Sequence, residues 1–412
     1  MTRKMKDSGI EWIGEIPEEW EITKGKYVYK IETGKLDVNA SDPDGEYPFF
    51  TCSAVPMRIN QYAFDTEALM VVGNGDIGTT MYYNGKFNAY QRTYVLSQFE
   101  KINPILLKHF VENNLANYAS FKAVGSVIKF IKYDDLSNFS IVNPPTNEQE
   151  KISDFLDKKT DQIENIKSTI IKEIQTLENY EKSVITEAVT KGLDKNVEMK
   201  DSGVEWIGEI PKHWDLIKLK FIAQSISKGI SPHYVEETLT PVVNQATFSK
   251  GFFDSNLKYC SEKPIGEGLL KMNDVLLATT GGGVLGKTYY FEEKGKYLAS
   301  TDVAYIRNKD KYISKFIYYI LSVNYDLLNG IFAKGSTNQT HLQMDLLSNM
   351  HIPLPNQNEL SKIISKLDVV NTNINDSIAI KQKQLETLEE YKKSLIYEYV
   401  TGKKEVKDGE ET

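Results

Sequence analysis

The sequence predicts an α+β protein made of two copies of one unit, each a β-rich head followed by a long helix, with the two helices paired antiparallel. Three observations lead there: a near-exact internal repeat, strand-type composition within each copy, and a seven-residue apolar period after each head. Residues 5–21 (MKDSGIEWIGEIPEEWE) and 199–215 (MKDSGVEWIGEIPKHWD) agree at 13 of 17 positions, far beyond chance within one chain. A second pair lies downstream, 177–190 (LENYEKSVITEAVT) against 388–401 (LEEYKKSLIYEYVT). A weaker third pair sets Gly125-Ser126, Asp135-Leu136 and Pro144-Pro145 against Gly335-Ser336, Asp345-Leu346 and Pro353 with Pro355. The copies join near Lys195. Two repeats are too few for a solenoid, which buries its faces by stacking at least three, so a pseudo-twofold protein is expected.

Each copy opens with a short segment carrying two tryptophans, Trp12 and Trp20 or Trp206 and Trp214, read as core or docking residues beside Ile16 and Pro17. About 120 residues rich in Tyr, Phe, Gly and β-branched types follow, with turn signals every ten or so, the signature of strands. Then Leu156, Ile163, Ile170, Leu177 and Val184 recur every seven residues, with Ile152, Ile166 and Tyr180 as companions. In the second copy Leu367, Ile374, Leu388 and Leu395 hold the same places, beside Ile363, Val370 and Tyr391. Sustained heptads read as a coiled-coil seam, and the prolines fix where each helix begins. Polar residues at Lys159, Glu173, Lys381 and Gln384 interrupt the seam and suit a role in fixing register. Antiparallel pairing sends the heads to opposite ends of a rod of roughly 60 Å; the alternative is that each helix packs on a partner protein. The expected boundaries are 1–145 for the lead segment and first head, 146–192 for the first long helix, 193–355 for linker, second lead segment and second head, 356–402 for the second long helix, and 403–412 for a charged tail.

Composition narrows the class. A 412-residue chain with 41% hydrophobic and 26% charged residues is a multi-domain globular protein. No apolar run approaches a membrane span, the first residues lack a secretory core, and Cys52 and Cys260 lack metal-ligand spacing, so a cytoplasmic address is expected. The net charge of −8 runs against nucleic-acid binding by the whole chain, but such binding depends on local surface.

Three motifs tempt and fail. Residues 281–288 (GGGVLGKT) match the phosphate-loop pattern, but Tyr289-Tyr290-Phe291 read as strand where a helix N-terminus must face the phosphates. Residues 73–78 (GNGDIG) resemble a dinucleotide fingerprint, again followed by strand-like sequence. Asn143-Pro144-Pro145-Thr146 is similar to the tetrapeptide of adenine-N6 methyltransferases, yet Thr146 cannot stack on a base as the aromatic residue there does. The five histidines (His109, His213, His233, His341, His351) are scattered, without metal or nucleophile spacing. No catalytic residues and no metal ligands are expected.

Taken together, the segment from Ser8 to Trp20 (SGIEWIGEIPEEW) and the succession Gly335-Ser336-Thr337, residues 352–355 (IPLP), Glu359 and Ile363 before a long helix resemble type I restriction–modification specificity subunits, in both copies and in order. Copy one departs at Val127 and Asn143, where copy two has Thr337 and Pro353. The resemblance implies two target-recognition domains held apart by two antiparallel helices, each reading one half of an interrupted, asymmetric double-stranded DNA site. It also implies docking of two methyltransferase subunits and of translocating restriction subunits, to which S-adenosylmethionine, ATP and Mg²⁺ would belong. The competing class is a two-headed coiled-coil scaffold or adhesion protein that binds no DNA.

Base readout calls for paired donors and acceptors, and phosphate contact for cations, hydroxyls and bare amides. Loop candidates in copy one are Lys35, Ser53, Arg58, Asn74, Thr79, Gln91, Arg92, Lys122, Ser126 and Lys129. In copy two they are Lys228, Ser231, His233, Asn244, Gln245, Thr280, Lys287, Ser300, Lys334, Ser336, Asn338 and Gln339. Gln91-Arg92 and residues 334–339 stand out as polar clusters in apolar surroundings.

Overall fold

The computed structural model describes residues 3–75, 77–122, 130–236, 240–335 and 340–407, the side chains of 120–122 excepted. Two long helices dominate, Thr146–Lys191 with 46 residues and Gln357–Val400 with 44. Contacts divide the chain into two compact units, Met1–Lys172 with Lys381–Thr412, and Glu173–Ile380. Both boundaries fall inside the long helices rather than at their ends. Antiparallel pairing explains this, since it brings the opening half of one helix beside the closing half of the other.

In the first unit a six-stranded sheet runs in the order Lys30–Thr33, Thr93–Ser97, Phe64–Val72, Thr80–Ala89, Tyr47–Phe50, Met57–Ile59. It is antiparallel except where Phe49 and Phe50 pair in parallel with Asn88 and Ala89. The helix Pro104–Lys122 covers one face, and Leu69, Val71, Leu96, Leu107, Phe110 and Val111 form the core between them. The ends of the central strands are buried on both faces, and alternate residues enter two cores, Ala68, Met70 and Val95 a second on the opposite face and Leu69, Val71 and Leu96 this one. The same core continues into the helix pair, where Ile152, Phe155, Leu156 and Ile163 meet Leu395, Ile396, Tyr399 and Val400. It also takes in the lead segment through Ile13, Ile16 and Trp20, all fully buried. At Gly402 the chain turns with φ +71°, and a Cβ there would lie 2.5 Å from the Pro17 ring, so only glycine lets the end of the second long helix close on the lead segment. Of the four tryptophans read as core or docking residues, Trp20 and Trp214 are buried, while Trp12 and Trp206 are partly so.

The second unit repeats the plan with its sheet split in two: Ser225–Lys228, Val303–Arg307, Val275–Ala278, Thr288–Tyr290, and beside it Tyr234–Val235, Lys258–Cys260, Thr240–Val243, Leu298–Ala299. A parallel pairing recurs between Val242-Val243 and Leu298-Ala299. Phe316, Ile317 and Ile320 on the helix Lys311–Val323 pack with Val275, Leu277 and Ile306. The same core joins Ile185 and Val189 of the first long helix to Leu360, Ile363, Ile364 and Leu367 of the second.

The helices therefore pair with each other, antiparallel within each unit. The seam is narrower than the heptads suggest. Leu156, Ile163, Ile170, Leu367, Ile374 and Leu395 are buried, but the companions Ile166, Tyr180 and Tyr391 are exposed. Two helices in contact cover a single apolar stripe, and a second stripe stays open unless a third element meets it.

Each long helix starts where the prolines require. After Pro144-Pro145 the buried Gln149 amide donates to the carbonyl oxygens of Lys101 and Pro144 and to Asn143 Oδ1, at 2.8–3.0 Å. Asn143 is thus tied into a helix start, and its backbone pairs with Glu21 in a two-stranded ladder.

Candidate nucleic-acid interface

The two heads share a frame that can be matched bond for bond. Gly73 N donates to Arg92 O (3.1 Å) as Thr279 N donates to Asp302 O (2.9 Å). Ile131 N reaches Gly73 O as Leu342 N reaches Thr279 O, and Val72 N reaches Thr79 O as Ala278 N reaches Lys287 O. Tyr90 N bonds Phe50 O as Ser300 N bonds Val243 O. A Cβ on Gly34 would come within 1.7 Å of Ala89 O, and one on Gly229 within 2.1 Å of Ala299 O. These pairs make Phe50, Gly73, Asn74 and Arg92 the structural counterparts of Val243, Thr279, Thr280 and Asp302, and place Cys52 opposite Gln245.

The frame gathers residues that are far apart in sequence at the ends of the strands. In the first unit Asn74, Gln91, Arg92, Tyr94 and Phe130 line a cavity of about 350 Å³. Asn74 and Phe130 are joined by an isolated β-bridge, and Phe130 is 55% exposed. In the second unit Gln245 Oε1 accepts from Thr280 Oγ1 (3.2 Å), and its backbone N–H donates to Asp302 (3.3 Å). The Ser300 hydroxyl donates to the same carboxylate.

The sequence candidates divide accordingly. Asn74, Gln91 and Arg92 meet in the first cluster; Gln245, Thr280 and Ser300 meet in the second. Thr79 instead lines a separate groove with Glu112, Asn113 and Lys392. The Arg58 guanidinium holds its hairpin through the carbonyls of Gly45 and Glu46, both 2.9 Å away. His233 binds Glu262 through ring and backbone, hydrogen bonds that hold the Glu262 carboxyl down to about 2. Asn244 caps the short helix Gln245–Phe248. Lys35, Ser53, Lys228, Ser231 and Lys334 are exposed outside both clusters. The side chain of Lys122, and Ser126, Lys129, Ser336, Asn338 and Gln339, lie outside the described residues. Sequence reasoning missed Asp302, Tyr94 and Phe130. Asp302 is a carboxylate, unlike the amides, hydroxyls and cations that most often meet bases and phosphates, and neither aromatic shows its position except through strand register.

The phosphate-loop look-alike is a hairpin. Gly281, Gly283 and Gly286 all have φ between 83° and 92°, Thr288–Tyr290 is a strand, and Lys287 lies over the Tyr325 ring at 4.7 Å. Without a helix N-terminus the loop cannot present converging amides to a phosphate. Among the described residues no group of His, Cys, Asp and Glu is arranged to hold a metal, and no helix is long and apolar enough to cross a membrane.

Residues 17–176 and 211–390 both match the profile of the type I restriction modification DNA specificity domain, well over half of the chain between them. The chain belongs to that family. As a specificity subunit it is 39% identical over 155 residues to the type I restriction enzyme EcoDI specificity subunit of Escherichia coli, a stretch covering 36% of this chain and 33% of that relative. The chain thus spans about a third of the length of the relative it matches there. With the type I restriction enzyme MjaVIII specificity subunit of Methanocaldococcus jannaschii the identity is 25% over 416 residues, 95% of each chain. Among solved structures, a chain from work on complex assembly and conformational transition of the type I R-M system has a TM-score of 0.68, covering 94% of this specificity subunit and 99% of its own length at 16% identity. That likeness is one of fold. The family assignment makes the chain a specificity subunit and not itself the enzyme.

Proposed function

We propose that the chain reads a bipartite, asymmetric site in double-stranded DNA, one half per head, and docks methyltransferase and restriction subunits that supply all catalysis. The observation that carries this reading is the bond-for-bond identity of the two frames combined with unlike side chains upon them: Cys52, Asn74 and Arg92 against Gln245, Thr280 and Asp302. One frame bearing different donor and acceptor sets is what two different base sequences require. Partner docking is supported by the near-identical lead segments, and by Ile166, Ile171, Tyr180, Val369, Ile380 and Tyr391, which stay exposed on the long helices. Repeated surfaces suit two equal methyltransferase subunits. S-adenosylmethionine, ATP and Mg²⁺ belong in this reading to the partners, and the assembly works in the cytoplasm.

The test is the methylated motif in DNA from cells expressing the full chain with its methyltransferase, together with binding of the purified complex across a salt series. Two specified blocks separated by unspecified bases, and affinity falling steeply with salt, are expected. Salt-independent binding without a sequence motif would mean a scaffold.

A further inference from the structure

The chain has four arginines, and three are spent internally. Arg3 binds Glu19 and Glu148, Arg58 binds two backbone carbonyls, and Arg307 grips Asp274. The Arg92 guanidinium makes no hydrogen bond or ion pair among the described residues, and it is exposed at the cavity lined also by Asn74, Gln91 and Phe130. Its backbone is fixed, however. Arg92 O accepts from Gly73 N (3.1 Å), and the turn is closed by Thr93 N to Tyr90 O (2.8 Å). The approach needs glycine, because a Cβ on Gly73 would sit 2.7 Å from Arg92 O. The result is a held backbone carrying an unspent guanidinium beside an unspent Asn74 amide.

Resting on the DNA-reading function above, we propose that Arg92 reads a guanine in the half-site of the first unit, and that Asp302 bars the second unit from reading guanine at the equivalent place. The guanidinium fork matches O6 and N7 of guanine in the major groove, a fit that a lysine cannot reproduce. At the matching position Asp302 presents an acceptor, which those two guanine acceptors repel. It is also engaged by Gln245 N and by the Ser300 hydroxyl, which fixes the backbone that carries the half-buried Gln245 side chain in the second cluster. Gln245 suits adenine. Unlike half-sites thus follow from one exchange of charge on a shared frame.

The experiment maps methylated motifs in cells carrying the full chain and its methyltransferase, for wild type, Arg92→Ala, Arg92→Lys and Asp302→Asn. Arg92→Ala is expected to relax one guanine in one half-site, with discrimination there falling about tenfold or more, while the other half is unchanged. Arg92→Lys is expected to relax the same guanine despite keeping the charge. Asp302→Asn is expected to alter only the other half. A phosphate contact would behave differently: Arg92→Ala would weaken all sites alike and Arg92→Lys would restore them with the motif intact, and that result overturns the proposal. So does an unaltered motif in both Arg92 variants, with thermal melting of the purified chains confirming that each is folded. A wild-type complex that methylates without any sequence motif would instead bring down the DNA-reading function on which the proposal rests.

Discussion

Lys167 on the first long helix reaches Glu389 on the second at 2.7 Å, and three residues earlier Glu164 meets Lys392, three residues later, at 2.9 Å. One helix runs forward as the other runs back. The crossed pairs therefore fix both the antiparallel direction and the register at this level of the first unit, and further along the same helix pair Phe155 meets Tyr399.

These pairs set a pH dependence. The hydrogen bond from Lys167 holds the Glu389 carboxyl below its ordinary value against some opposing burial. For Glu164 burial pushes up, and the bonds from Lys392 and Lys167 outweigh it. A carboxylate whose folded pKa is depressed stabilises the fold above its unfolded value, near 4.5, and that contribution is lost as pH falls through the folded value. Partly exposed pairs are worth little, so a Lys167→Ala and Glu389→Ala double-mutant cycle should give a coupling of about 0.5 kcal/mol at pH 7. Urea unfolding at an acidic pH below the depressed folded value should show it vanish. Equal coupling at both pH values would mean the residues interact through packing.

Asp274 is the buried anchor of the second unit. Its carboxylate is 1% exposed and accepts two bonds from Arg307, at 2.6 and 2.7 Å, plus one from Lys271 N at 2.8 Å. Asp274→Asn leaves the guanidinium unbalanced and should destabilise by about 3–5 kcal/mol. Denaturation should show the loss, and a change under 1 kcal/mol would mean solvent rescues Arg307.

Lys287→Ala should leave ATP hydrolysis by a reconstituted complex within about threefold of wild type, since a true phosphate-loop lysine is needed for that chemistry. The side chain stacks on Tyr325 instead. A collapse of hydrolysis with DNA binding intact would restore the phosphate-loop reading.

Replacing residues 216–350 by the corresponding region of another specificity subunit should change one half of the methylated motif and leave the other alone. The exchanged segment contains Gln245, Thr280 and Asp302 and leaves untouched the strands that carry Asn74 and Arg92. Changes in both halves at once would show that the heads do not read independently.

By itself the sequence determined the doubling, the strand-rich heads, the helix starts and the family, because repeats, two- and seven-residue periods and prolines act through neighbours along the chain. It also exposed the phosphate-loop look-alike, since Tyr289 and Tyr290 declare a strand locally. Only tertiary structure decided which heptad positions are covered, because burial of Ile163 and exposure of Ile166 depend on how wide a stripe one partner helix can hide. The clusters belong to the same class. Asn74 and Arg92 become neighbours through the ladder bond from Gly73, and the equivalence of Arg92 with Asp302 emerges only when the two frames are matched bond by bond. Likewise Arg58 and Arg92 are alike as letters, and what separates them is that folding spends the first on Gly45 and Glu46 and leaves the second open to solvent. Hydrogen-bond satisfaction is a property of the assembled fold.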